Sequence, residues 1–221
     1  GGRRARGDGL DFHEVFRHRG LAAVGAQLSF PELVDDFALA AGVGLARLLI
    51  PGRPRITDGS RVLLVGDSHA QGLNTPLKAM ATERGVPYVG LAKVGSRIDY
   101  WAASAALDDA LASFDPTLVL VSLGTNDAYM GGDVSARQAP ALESLLAKLS
   151  GRDVVWLGPP ALPEVHSGMR LDLRFLEFLA ANAPHFLDTA GLLISMGPDG
   201  IHPTVLGYAG WSGAIWNELD R

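Results

Sequence analysis

Two short runs in this 221-residue chain carry residues that could act together on a carbonyl: "RVLLVGDSHAQGL" at 61–73 and "GPDGIHPT" at 197–204. In the first, an apolar run ends in Gly66-Asp67-Ser68-His69. A serine hydroxyl is a weak nucleophile near neutral pH and needs an adjacent base. The base is usually a histidine held in the right tautomer by an acid. Of the six histidines, His202 is the best placed, three residues after Asp199 on a turn. That spacing lets the carboxylate reach Nδ1 while Nε2 faces Ser68. Attack on an ester would create an oxyanion, which needs preorganised donors. Candidates are the backbone N–H of Ser68 at a helix start, the N–H of Gly95, and the side-chain amide of Asn126 in "GTND" (124–127). Glycine at 95 lets the backbone approach a ligand closely.

A frame must bring these residues together, and the pattern from Arg61 onward supplies one. Strand-like runs at 61–66, 86–92, 117–124, 153–160 and 185–191 alternate with helical spacing at 74–85, 97–114, 136–150, 170–183 and 204–220. The first helix is expected to start at Asn74 or Thr75, with Pro76 in its first turn and Gly85 as its stop. Within 97–114, Ile98, Trp101, Ala105 and Leu111 set the helical spacing. Alternating strands and helices imply βαβ units. The expected fold is a three-layer α/β/α domain on a doubly wound, five-stranded parallel sheet in flavodoxin-like order. Ligands bind outside the carboxyl ends of such strands. The polar motifs fall there: "GDSH", "KVGSR" (93–97), "GTND", "GPPALPEVHSGMR" (158–170) and "GPDGIHPT" follow the five strands in turn.

"GDSH", an isolated Gly95, "GTND" and "DGIHP", in this order, resemble the four signature blocks of the SGNH hydrolases, the GDSL-type esterases and lipases. The resemblance spans about residues 61–220. It implies Ser68 as nucleophile, His202 as base, Asp199 as its orienting acid, and Gly95 and Asn126 as oxyanion donors beside the Ser68 N–H. His69 stands where the family often has leucine, which weakens a lipase reading more than the catalytic one.

Each residue also has an ordinary reading. Ser68 alone would be a helix cap. Asp67 reads as a structural acid bonding loop amides. Asp199, His202, Asn126 and Asp127 alone would be turn or cap residues. Only its loop position separates Gly95 from Gly90. His69, His166 and His185 read as non-catalytic, with His69 pointing away along the helix.

Composition narrows the function classes. A net charge of −5 with no basic stripe argues against nucleic-acid binding. Without cysteine there is no disulfide, thiolate nucleophile or Cys-based zinc site. No two histidines have metal-ligand spacing with a third ligand nearby. The chemistry needs no cofactor. No apolar run reaches the length of a membrane span. The chain lacks an initial Met, which reads as processing, truncation or fusion, so a missing signal peptide carries no weight. The compartment stays open, an extracytoplasmic one included, as does the oligomeric state.

Residues 1–60 read as an N-terminal tail and helical extension before the hydrolase domain at 61–221. The start is Arg- and Gly-rich, and 30–50 has helical spacing through Leu33, Val34, Phe37, Ala41, Leu45 and Leu48. That stripe suggests a helix packed outside the sheet or against a partner chain; a solvated tail is the alternative. Residues 51–60 read as a linker.

The expected reaction is hydrolysis of a carboxylic ester through an acyl-enzyme on Ser68. With no long apolar lid, a small acyl group such as acetyl, carried by a carbohydrate, is the favoured substrate. Tyr129, Met130 and His166, on the loops after the third and fourth strands, are the candidate substrate-contacting residues. Two alternatives remain: an O-acyltransferase moving the acyl group to a sugar hydroxyl, and a non-catalytic carbohydrate-binding module on the same fold.

Overall fold

The computed structural model describes residues 53–220. The expected helix at 30–50 lies outside the described residues. Five strands build the main sheet: β1 (Val62–Gly66), β2 (Tyr88–Ala92), β3 (Leu118–Ser122), β4 (Asp153–Leu157) and β7 (Phe186–Leu187). All pairings are parallel, in the order β2-β1-β3-β4-β7. This is the doubly wound order expected from the alternation of strands and helices.

The sheet is covered on both faces because its central strands are apolar up to Gly66 and Ser122 at their ends. Every residue of β1 and β3 is buried, as strands covered on both sides require. Side chains of β1 alternate between two cores. Val62 and Leu64 join Leu73, Leu77 and Ala81 of α1 (Ser68–Glu83) and Trp211, Ile215 and Leu219 of α7 (Val205–Leu219). Leu63 and Val65 face the opposite layer. There they meet Ile98 and Trp101 of α2 (Ile98–Ala102), and Leu107 and Leu111 of α3 (Ala105–Phe114). Leu142 and Leu145 of α5 (Val134–Lys148) and Phe175 and Leu179 of α6 (Leu173–Asn182) complete that layer.

Four local features differ from the expected pattern. The first helix starts at Ser68, not at Asn74 or Thr75, and Asp67 is its N-cap, accepting from the His69 amide. Pro76 therefore lies inside α1, where it removes one backbone hydrogen bond. The buried stripe Leu73, Leu77 and Ala81 outweighs that loss. The stretch 97–114 is two helices, because Ser104 breaks it and caps α3 through the Leu107 N–H. Leu107, rather than Ala105, is buried there. A one-turn helix, α4 (Thr125–Ala128), and an antiparallel hairpin, β5 (Val165–His166) with β6 (Met169–Arg170), had no periodic signal. Residues 53–60 do more than link: Arg53 pairs with Glu218 at 2.6 Å, and the Ile56 N–H donates to the Leu219 carbonyl at 2.7 Å.

Candidate active site

Ser68 owes its position to the end of β1. A Cβ at Gly66 would run into the Ser122 carbonyl, so glycine lets β1 and β3 stay close up to the last strand residue. The chain then turns at Asp67 and enters α1. Ser68 is its first residue, so its N–H is among those that a helix start leaves without an intrahelical acceptor.

The segment 197–204 reaches the same edge from the other end of the chain. The Gly197 N–H donates to the His202 carbonyl at 2.7 Å and closes the turn. Asp199 Oδ1 accepts from the N–H groups of Ile201 (3.0 Å) and His202 (2.9 Å). Its Oδ2 lies 2.7 Å from His202 Nδ1, and His202 Nε2 lies 2.8 Å from Ser68 Oγ. An ionised Asp199 can only accept, so Nδ1 carries the proton and Nε2 accepts from the Ser68 hydroxyl. The hydrogen bond from the His202 side chain, helped by that from its backbone, holds the Asp199 carboxyl well below the usual range. The structure thus brings Ser68, His202 and Asp199 into one hydrogen-bonded line.

The opposite side of Ser68 is built from Asp67, the 93–97 loop and α4. Asn126 Nδ2 donates to Asp67 Oδ2 at 3.1 Å and to the Ser96 carbonyl at 3.0 Å. Both of its N–H groups therefore have protein acceptors. Gly95 sits on an exposed turn with φ +73, which favours glycine, next to the residue that Asn126 holds. Gly90, by contrast, lies inside β2 against Asn74. Asp67 is fully buried, and burial pushes its carboxyl up to about 7. Asp127 is not an exposed turn residue. It is fully buried, neither carboxylate oxygen has a well-formed hydrogen bond among the described residues, and burial pushes it up to about 7 against the opposing pull of the Ile98 backbone N–H.

His69 does not point away along the helix. It is 1% exposed, and its ring lies under the 199–202 turn. Its ring centroid is 5.6 Å from that of His202 and 5.5 Å from that of Trp211. Of the loop residues, Tyr129 is buried, and its hydroxyl donates to the Pro163 carbonyl at 2.5 Å. It fastens the loop after β4 instead of presenting a free face. Met130 is half-buried, its sulfur accepting from Gln138. His166, on β5, packs beside the Tyr129 ring at 5.8 Å. Exposed aliphatic side chains in the segments that follow the strands include Val94, Val165, Met169, Leu193, Val205 and Leu206.

Sequence reasoning read Asp67 as a structural acid, and its carboxylate does accept the His69 N–H, but the bond from Asn126 and the supporting contacts of Ser96, Thr125 and Ile201 were missed. Several of them run through backbone carbonyls, which leave no trace in residue type or spacing. Among the described residues, no group of three or more His, Asp or Glu side chains is placed to hold a metal ion. No helix among them is long and apolar enough to cross a membrane.

The fold recurs in solved structures. An acetyl xylan esterase superposes with a TM-score of 0.56 at 16% identity, over 71% of this chain and 98% of that one. A GDSL-like lipase from Bacteroides thetaiotaomicron gives 0.55 at 20% identity, over 82% and 96%. A carbohydrate acetylesterase from Sinorhizobium meliloti gives 0.56 at 18% identity, over 72% and 97%. No curated protein matches the chain. The model of the GDSL-like lipase/acylhydrolase family matches residues 56–209, a stretch that takes in Ser68, Gly95, Asn126, Asp199 and His202. With the match covering well over half of the chain and the sheet order agreeing, this protein belongs to the GDSL-like lipase/acylhydrolase family, the SGNH hydrolases, and is a carboxylic ester hydrolase.

Proposed function

We propose that hydrolysis proceeds through an acyl-enzyme on Ser68. The observation that carries this reading is the line Ser68–His202–Asp199, with contacts of 2.8 and 2.7 Å. Ser68 Oγ attacks the ester carbonyl carbon while its proton passes to His202 Nε2. The imidazolium that forms is held by Asp199. Collapse of the tetrahedral intermediate breaks the bond to the alcohol oxygen, which takes the proton from His202. Water then attacks the acyl-enzyme with His202 again as base, releasing the acid and restoring the Ser68 hydroxyl.

The oxyanion is received by the N–H of Ser68 and of Gly95 and by the Asn126 amide. For Asn126 this needs one N–H to turn from Asp67 or Ser96 toward the new charge. The anion is a stronger acceptor than a neutral carbonyl, so the exchange favours the transition state over the bound ester.

A small acyl group such as acetyl on a carbohydrate is the substrate class we favour. The side chains of Asp199 and His202 are each 42% exposed. A line this open suits a bulky polar alcohol better than it suits enclosure of a long acyl chain. Proteins of this fold include an acetyl xylan esterase and a carbohydrate acetylesterase. The same openness leaves room for a sugar hydroxyl in place of water, which is the acyltransferase reading. Hydrolysis of p-nitrophenyl acetate, butyrate and octanoate, with and without a sugar acceptor, tests both. The expected order is acetate first, with no acceleration by the sugar. Preference for octanoate refutes the small acyl group, and acyl-sugar product makes transfer the reaction.

A further inference from the structure

We propose that His69 is a positioning residue that fixes the register of His202 against Ser68. The proposal rests on the reading of Ser68 and His202 as the reacting pair. His69 follows the nucleophile directly, yet its ring makes two bonds to other parts of the chain. Nε2 lies 2.8 Å from the Ile201 carbonyl, and Nδ1 lies 3.1 Å from Thr125 Oγ1. A carbonyl only accepts, so Nε2 carries the proton. Nδ1 of the neutral ring then accepts from the Thr125 hydroxyl.

Those contacts bear on the reacting atoms through one peptide plane. The group between Ile201 and His202 is held at both ends: His69 donates to its carbonyl, and its N–H donates to Asp199 Oδ1 at 2.9 Å. Asp199 belongs to the same turn and moves with it, so it cannot set where the turn lies relative to α1. His69 can, because it sits on α1 next to Ser68 and is anchored by Thr125 of α4 and the Trp211 ring. Its burial costs little, since both ring nitrogens are satisfied. Burial also holds its pKa down at about 4, so near neutral pH the ring stays uncharged beside a His202 that becomes imidazolium during turnover. A leucine at this position would fill space without holding the Ile201 carbonyl.

The test compares His69→Leu, His69→Gln and Thr125→Val with the wild type. The readouts are p-nitrophenyl acetate hydrolysis and the rate of Ser68 phosphorylation by diethyl p-nitrophenyl phosphate, both below each variant's melting temperature. His69→Leu is expected to lower kcat by about ten- to a hundred-fold, with KM within a few-fold, because small misplacements of catalytic groups cost about that much. The phosphorylation rate should fall in parallel. Gln offers a donor to the Ile201 carbonyl, so His69→Gln should recover most of the loss, and Thr125→Val should lose a few-fold in kcat only. Wild-type kcat in His69→Leu, or a Gln variant no better than Leu, overturns the proposal. If His69→Leu does not fold, Thr125→Val decides: a kcat loss at unchanged KM supports the clamp, and wild-type kcat overturns it. Ser68→Ala is run alongside. Activity retained there defeats the reading of the site, whereas its loss beside an unimpaired His69→Leu defeats the clamp alone.

Discussion

Asp199→Asn changes one atom of the site and should nearly abolish turnover, for a reason that can be worked from the hydrogen bonds. Asp199 accepts three donors: Oδ1 takes the N–H groups of Ile201 and His202, and Oδ2 takes His202 Nδ1–H. Asparagine has one acceptor and one donor group at the same positions. Keeping two bonds over one directs its oxygen at the two backbone N–H groups and its NH₂ at Nδ1. Nδ1 must then give up its proton and accept. The proton moves to Nε2, where it faces the Ser68 hydroxyl and blocks its role as base. The penalty for the wrong tautomer in such triads is about 10⁴-fold in kcat, or about 5.4 kcal/mol at roughly 1.36 kcal/mol per tenfold. Asp199→Ala leaves the tautomer free and should lose less. Steady-state hydrolysis of p-nitrophenyl acetate by both variants provides the assay, with circular dichroism to confirm folding. An Asp199→Asn variant within ten-fold of wild type, or more active than Asp199→Ala, refutes the tautomer argument.

Ser68→Ala and His202→Ala should each lower kcat by about 10⁴–10⁶, and the double variant should be little worse, because the pair acts as a unit; additive losses in steady-state kinetics would contradict this. Asn126→Ala should lower kcat by about 10²–10³ with KM within a few-fold. It also strips Asp67 and Ser96 of a donor, so thermal unfolding should show a cost of about 1–3 kcal/mol; a lower melting temperature with unchanged kcat would make Asn126 a loop anchor only. Asp127→Asn should raise stability near neutral pH and above. The folded-state pKa of Asp127 is lifted to about 7 from 3.8, so its stabilising effect is complete below about pH 4 and is lost as pH rises toward 7. Urea unfolding across that range should show a shallower fall in the variant. Asp67, displaced in the same direction, keeps part of the slope; a variant less stable than wild type at about pH 8 would contradict the assignment.

The strands were legible where burial on both faces made them continuously apolar, as in β1 and β3. Their alternation with helices was enough for the sheet order. The start of α1 was not, because Asn74 and Pro76 are stronger local start signals than Asp67 and Ser68. The helix extends back over Ser68 because Asp67 caps it from inside the site. The hairpin at 165–170 and the two-residue β7 are too short for periodicity to register. At the site, the meeting of Ser68, Asp199 and His202 was legible because the proposed chemistry demands those residue types at strand ends. Gly95 and Asn126 stood out as candidate oxyanion donors from residue type and loop position, and the family resemblance implies the same proposed roles. Tyr129 was read as a free contact because an aromatic on a loop gives no sign of a carbonyl waiting for its hydroxyl. His69, read as pointing away along the helix, and Asp127, read as a turn or cap residue, were misread for a related cause, since burial is decided by segments remote in the chain.

The central claim is that Ser68 is the atom acylated. Diethyl p-nitrophenyl phosphate tests it directly: attack by Oγ on phosphorus expels p-nitrophenolate and leaves a stable diethylphosphoryl ester. One equivalent of p-nitrophenolate should be released per chain, esterase activity should be lost in parallel, and the added mass should appear on the peptide that carries Ser68. Ser68→Ala should neither release the burst nor gain the mass. Full inactivation with Ser68 unmodified, or equal labelling of Ser68→Ala, would contradict the account.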